Sequence, residues 1–244
     1  MKKILLLQFR TRDDTKTAER KSFLRTLKNS STELIFKNAF LDNLNWSDPL
    51  SILEDVDGII LGGSGEYDFD GGREDCDECK IASHKKVAEM RPFLEYLKRQ
   101  DFPTLAICFG HQIIGESVGC KVRNDKVQAK VGSHLVSLND TAKSDPLFSD
   151  LPNDFFAQYG HKDSLSDLPA EAVLLANGQQ CLYSALRYGK NVYSLQFHPE
   201  LSAEDILDKF KSHPDYLPPG QVAEKLVKES PYASKILINF VKNL

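Results

Sequence analysis

PTLAICFGHQIIGES, residues 103–117, carries Leu105, Ala106, Ile107 and Cys108 straight into Phe109-Gly110-His111-Gln112 and then into a helical pattern. A short unbroken apolar run followed by a helix predicts a strand covered on both faces. Cys108 stands where that strand would end, and two readings compete there. Free cysteine is a good apolar filler. A strand–turn–helix elbow also lifts its central side chain out of the sheet, and the helix N-terminus favours a thiolate there. Gly110 removes a side chain where strand and helix would crowd that elbow.

Upstream the pattern alternates. KILLLQF (3–9), TELIFKNAF (32–40) and VDGIILGG (56–63) are strand candidates. Between the first two, a polar stretch has helical spacing, with Phe23, Leu24 and Leu27 as its apolar side. SGEYDFDGGREDCDECK is too polar and glycine-rich for a strand and reads as a long loop. From about Cys79 to Arg99, Val87, Met90, Leu94 and Leu97 form one helical stripe. Alternating strands and helices predict an α/β fold, an αβα sandwich on a mainly parallel sheet. Downstream, KVRN, KVQAKVGSHLVSL, FFAQYGHKDSL, EAVLLANG, CLYSALRYG and NVYSLQF read as short antiparallel strands added to that sheet. Residues 1–201 form the expected catalytic domain. Residues 202–244 form a helical accessory segment on the same domain, with Pro214, Pro218 and Pro219 in its middle and Ile236, Leu237, Phe240, Val241 and Leu244 on its closing helix.

Composition removes several classes of function. With 41% hydrophobic and 27% charged residues the 244-residue chain is ordinarily globular. A net charge of −4 argues against a nucleic-acid partner, whose footprint would be basic. The apolar run Ile4 to Leu7 is too short for a secretory leader, and no stretch approaches the roughly 20 apolar residues of a membrane span. Five cysteines are an odd number for a disulfide framework, so a cytoplasmic protein with reduced thiols is expected. Cys120 and Cys181 read as core thiols. Cys76-x-x-Cys79 lacks a second Cys or His pair and reads as part of an exposed acidic loop rather than a metal site.

YSLQFHPE (193–200) decides between the readings of Cys108. Another apolar strand ends at His198, with Glu200 across Pro199. Histidine supplies the base that a thiol nucleophile needs, and a carboxylate on its far nitrogen orients the ring. An acyl-transfer transition state also needs backbone N–H donors for its oxyanion. The N–H of Phe109 offers one, and the glycine-rich turn in GIILGGSGEY (58–67) offers the other.

LGGSG, AICFGHQ and QFHPE, in this order and spacing, resemble the triad-type (class I) glutamine amidotransferases. AICFGHQ is similar to the family's Gly-x-Cys-x-Gly-x-Gln elbow, with Ala106 for the first glycine. LGGSG stands for the usual Ser-Gly-Gly-Pro, which assigns Gly63 as the oxyanion donor and leaves a register shift of one open. QFHPE matches. The resemblance implies a flavodoxin-like central sheet and attack by Cys108 on the side-chain amide of glutamine, with His198 and Glu200 completing the triad. Ammonia leaves, and water hydrolyses the glutamyl thioester. It also implies that Gln112 and the turn around Gly132 grip the glutamine and that His161 approaches it, whereas His111 reads as positional. No cofactor or metal is implied.

The likeness extends to stand-alone GMP-synthase-like proteins, some of them gamma-glutamyl peptidases. With no Ser-Gly-Gly-x-Asp-Ser loop and no P-loop, a one-chain GMP synthase is excluded, whereas a separate synthase subunit as partner is not. A homodimer is left open. Two alternatives stand beside the glutaminase: a gamma-glutamyl peptidase using the same triad, and a silent regulatory module that waits for a partner.

Overall fold

Leucine- and isoleucine-rich runs without alternation become strands buried on both faces, and their neighbours follow from that. The computed structural model describes residues 1–244, the side chain of residue 215 excepted. Its strands are β1 (Lys2–Gln8), β2 (Thr32–Asn38), β3 (Gly58–Leu61), β4 (Thr104–Ile107), β5 (Val122–Asn124), β6 (Lys130–Leu138), β7 (Asp154–His161), β8 (Asp163–Leu165), β9 (Ala172–Gly178), β10 (Ala185–Tyr188) and β11 (Val192–Leu195). The helices are α1 (Asp13–Leu27), α2 (Pro49–Ile52), α3 (Glu78–Arg99), α4 (Phe109–Ser117), α5 (Asp140–Lys143), α6 (Ala203–Ser212), α7 (Ala223–Leu226) and α8 (Pro231–Lys242).

A nine-stranded sheet runs in the order β2-β1-β3-β4-β11-β10-β9-β6-β7. β2, β1, β3, β4 and β11 are parallel; the remaining pairings are antiparallel. Strand alternation sends Ile4, Leu6, Ile60, Leu105 and Ile107 to one face, where α1 and α8 supply Phe23, Leu27, Ile236, Leu237 and Phe240. It sends Leu5, Leu7, Ile59, Leu61 and Ala106 to the other, beneath Val87, Met90, Phe93, Leu94 and Leu97 of α3. Each large side chain so buried contributes roughly 1.5–3 kcal/mol. No helix among the described residues is long and apolar enough to cross a membrane.

Three expectations are corrected. NVYSLQF is no added antiparallel strand: β11 lies parallel to β4, with Thr104 opposite Val192 and Ile107 opposite Leu195, in the middle of the sheet. Its four residues are all buried, which only a central strand allows. KVRN leaves the main sheet and pairs β8 in a separate two-stranded ribbon. Leu24 is half exposed, because the buried side of α1 passes through Glu19, Ser22, Phe23 and Leu27.

Candidate active site

β3, β4 and β11 are neighbours and parallel, so their carboxyl ends meet at one edge, where open α/β sheets bind ligands. Cys108 follows β4 in the centre. Its backbone takes φ +53° and ψ −100°, a strained conformation that costs on the order of 1–3 kcal/mol and persists only where the surroundings impose it. They do so from both sides. The Cys108 N–H donates to the Leu195 carbonyl at 2.7 Å, and the Gly110 N–H donates to the Gly62 carbonyl at 3.1 Å. A Cβ on Gly110 would lie 2.5 Å from the Leu61 carbonyl oxygen, so glycine is required where α4 crosses β3.

His198 leaves the end of β11 and is held by its own N–H, which donates to the Gln158 carbonyl at 2.8 Å. Its Nδ1 lies 2.7 Å from Glu200 Oε1, and both side chains are almost fully buried. Burial alone would drive the imidazole neutral, but the charges of Glu200 and Cys108 outweigh it and raise its pKa above the ordinary value. α1 steadies the carboxylate's backbone: Arg25 donates to the Glu200 carbonyl at 3.0 Å and pairs with Asp205 of α6. Cys108, His198 and Glu200 are therefore brought together at one edge of the sheet, by strand ends that are distant in the chain.

The turn after β3 also closes on this group, with one correction. A Cβ at Gly63 would stand 2.9 Å from His198 Cε1 and 3.6 Å from Cys108 Cβ. The Gly63 N–H, however, donates to the buried Glu19 Oε1 at 3.2 Å and so is not offered to an oxyanion. Among the described residues the Ser64 and Phe109 N–H groups make no hydrogen bond. The unbonded amide of this turn is thus at Ser64, one residue along the loop. Glu19 itself is held by the Gln8 amide at 2.8 Å and paired with Arg10 at 3.3 Å.

Beside Cys108 opens a cavity of about 360 Å³ lined by Ser64, Gln112, Lys130, His161 and Tyr216, among others. Gln112 turns its Nε2 to the Asp163 carbonyl at 2.7 Å. His161 accompanies it, with Nδ1 3.0 Å from the same carbonyl, and burial pushes its pKa down to about 4, so it is neutral at pH 7. Gly132 does not line this cavity: it lies within β6, not in a turn, at φ +87° against the Leu226 carbonyl, and residues 129–131 form the wall instead. His111 is fully buried with Nδ1 2.8 Å from Ser194 Oγ, and burial pushes it down to about 3, in keeping with a positional role.

The long acidic loop is anchored rather than loose. The Asp163 carboxylate collects the N–H groups of Phe69, Asp70 and Gly71 at 2.7–2.9 Å, and Phe69 is buried against Phe109. Cys76 is exposed and Cys79 half-buried at the start of α3, whereas Cys120 and Cys181 are buried.

Sequence reasoning missed Arg10, Glu19, Lys130, Lys209 and Tyr216. Arg10 and Glu19 lie either side of an amphipathic helix start and carry no local signature. Lys209 and Tyr216 belong to the segment after His198, whose packing no local pattern reveals. A charged residue on the buried side of α1, Glu19, was the single available hint.

The class I glutamine amidotransferase family model matches residues 20–208. A glutamine-hydrolysing GMP synthase subunit of Methanobrevibacter smithii is 27% identical over 171 residues, which span 70% of this chain and 74% of that protein. The protein of the same name from Methanopyrus kandleri is 28% identical over 171 residues, 68% of this chain and 80% of its own. Two solved structures share the fold. A glutamine amidotransferase from Thermotoga maritima matches with a TM-score of 0.69 at 18% identity, over 99% of this chain and 97% of that one. The glutaminase domain of Trypanosoma brucei CTPS, solved with bound acivicin, matches with a TM-score of 0.62 at 14% identity, over 99% and 94%. With its model matched over most of the sequence, the chain belongs to the class I glutamine amidotransferase family.

Proposed function

We propose that the protein hydrolyses the side-chain amide of glutamine through Cys108 and delivers the ammonia to a separate synthase subunit. The observation that carries this reading is the Cys108–His198–Glu200 group at the carboxyl edge of the sheet, with Glu200 2.7 Å from the imidazole. Cys108 passes its thiol proton to His198 as Sγ attacks the amide carbon, and the oxyanion that forms is met by the N–H groups of Phe109 and Ser64. The C–N bond breaks as the nitrogen takes a proton from His198, leaving a glutamyl thioester. Water then attacks that thioester, His198 accepting its proton, and glutamate departs. Glu200 keeps the imidazole in the tautomer and orientation both steps need and stabilises its charged form. Gln112 and His161, with the wall at 129–131, hold the amino-acid end of the substrate in the cavity.

The partner reading is supported by relatives named as glutamine-hydrolysing subunits of GMP synthase. The test is the mass of the intact protein after exposure to a glutamine analogue bearing an electrophile, followed by peptide mapping. One adduct on Cys108, prevented by excess glutamine, is expected. Labelling elsewhere, or labelling that glutamine does not prevent, overturns the reading. Labelling without any ammonia release from glutamine would point to the silent module instead.

A further inference from the structure

Glu19 lies on α1 with its side chain only 2% exposed. Replacing a buried ion pair by apolar side chains is often neutral or stabilising, so the fold alone gives little reason to keep a carboxylate there. Its bonds point to another reason. Oε2 accepts from the Gln8 amide at 2.8 Å, whereas Oε1 accepts from the Gly63 N–H at 3.2 Å and pairs with Arg10 at 3.3 Å. The peptide unit between Gly62 and Gly63 is thereby held at both ends: its carbonyl accepts from the Gly110 N–H at 3.1 Å, and its N–H donates to Glu19. The turn is also confined on both sides. A Cβ on Gly62 would stand 2.7 Å from Glu19 Oε1, and one on Gly63 2.9 Å from His198 Cε1. Paired glycines permit that approach, but without a Cβ they leave the backbone free to rotate, so its direction has to be imposed from outside. The next bonds along the turn are those that the Ser64 hydroxyl accepts from the Glu66 and Tyr67 N–H groups at 3.1 Å and 3.2 Å, and they do not hold the Ser64 N–H. Without Glu19, the peptide ahead of Ser64 would be fixed at its carbonyl alone.

We propose that Glu19 is a positioning residue of the reaction, which locks the Gly62–Gly63 peptide so that the Ser64 N–H is held towards the Cys108 cavity as an oxyanion donor before substrate arrives. This rests on the reading of Cys108, His198 and Glu200 as the catalytic group. A donor fixed in advance needs no reorientation as charge develops on the oxygen, and that is the source of its effect on rate. Arg10 balances the buried carboxylate and lies against the same turn, its Nη atoms 3.4 Å and 3.7 Å from the Cβ positions of Gly63 and Gly65. The two buried glutamates thus act on different steps: Glu200 bonds the imidazole that moves the proton, and Glu19 bonds the backbone that meets the oxyanion.

The experiment compares two reactions of one thiol. Glutamine hydrolysis passes through an oxyanion, whereas alkylation by iodoacetamide is a displacement at a saturated carbon and builds none. Alkylation is followed at Cys108 by peptide mapping, because Cys76 is exposed as well. Glu19→Ala should lower kcat for glutamine by roughly 10–100-fold, somewhat less than the loss of a whole oxyanion donor, with KM and the alkylation rate of Cys108 within about threefold of the wild type. Glu19→Asp keeps the charge but falls one methylene short of Gly63, and should resemble Glu19→Ala. Glu19→Gln keeps an acceptor oxygen at the same reach and should stay within about fivefold of the wild type. Should Glu19→Ala fail to fold with Arg10 left unpaired, the double variant Glu19→Met/Arg10→Met removes both charges and should show the same selective loss of kcat. An unchanged kcat without the carboxylate, or an alkylation rate that falls as far as kcat, overturns the proposal. So does a Glu19→Gln protein as slow as Glu19→Ala, which would make the charge, and not the hold on Gly63, the cause. Failure of the underlying catalytic reading looks different: the wild-type protein releases no ammonia from glutamine, or Cys108→Ala releases as much.

Discussion

The floor and the roof of the catalytic cavity are made in different ways. The floor consists of the ends of β3, β4 and β11, three buried parallel strands whose backbones are bonded to one another directly under Cys108. The roof is the stretch from α6 to Pro218, which touches the cavity through Tyr216 and Pro218 and is held by side chains, Tyr216 Oη to the Gly65 carbonyl at 3.4 Å and Lys209 over Tyr216. Backbone ladders give the floor positions accurate enough for bond-making. Long side chains make the roof adjustable, which suits selection among substrates. On the proposed reading, reaction and selectivity are then separable, carried by separate stretches of chain.

Substitutions in the floor should therefore cost rate and those in the roof affinity. Cys108→Ala should lower ammonia release from glutamine by at least about 10⁴-fold, since removing a nucleophile removes the covalent path altogether. Its melting temperature should stay close to that of the wild type; retained turnover would break the comparison at its base. Glu200→Gln should reduce kcat by about 10²–10⁴-fold, the range of a mispositioned general base. It also has a pH signature. His198 has a raised pKa in the folded protein, so its stabilisation is complete below the unfolded value near 6.5 and fades as pH rises through the folded one. With the Glu200 charge gone, that fade should be smaller and end at a lower pH, which melting curves from pH 6 to 10 would record. Gly110→Ala should destabilise the fold by roughly 1–3 kcal/mol in denaturant titration, because the new Cβ meets the Leu61 backbone and not a yielding side chain. Tyr216→Ala should give the smallest effect, a several-fold rise in KM with a lesser change in kcat. A larger loss of kcat than of affinity would show that the roof takes part in the reaction itself.

The same division explains what could be read beforehand. A buried strand announces itself by an unbroken apolar run, and a residue at its end inherits a place in the fold, so the positions of Cys108 and His198 at strand ends were legible. Glu200 followed from spacing. The direction of β11 was not legible, since an apolar run has no polarity and the closely spaced strands before it invited an antiparallel reading. That the Gly63 N–H is already bonded was not legible, for a subtler reason. Which amide of a turn faces the substrate depends on what the other amides bond, and Glu19, 44 residues away in sequence, takes the one at Gly63. Gly132 was misplaced because its positive φ serves the packing of β6 against Leu226. Arg10 reaches the site from the end of β1, and Lys209 and Tyr216 through the long-range contact of α6 with α1, which local periodicity does not encode.

The place of β11 in the sheet has a consequence for how the molecule comes into being. It is the last strand in the chain, yet it lies between β4 and β10. During synthesis the inner edge of β4 must wait unpaired until residues 192–195 emerge, and such delayed, distant pairings are slow and prone to association with other chains. His198 arrives with the same strand. On the proposed reading, nascent or misfolded molecules carry the cysteine without its base, and no ammonia release is expected before the sheet is whole. The onset of glutamine-protectable alkylation at Cys108 would then serve as a clock for the insertion of β11.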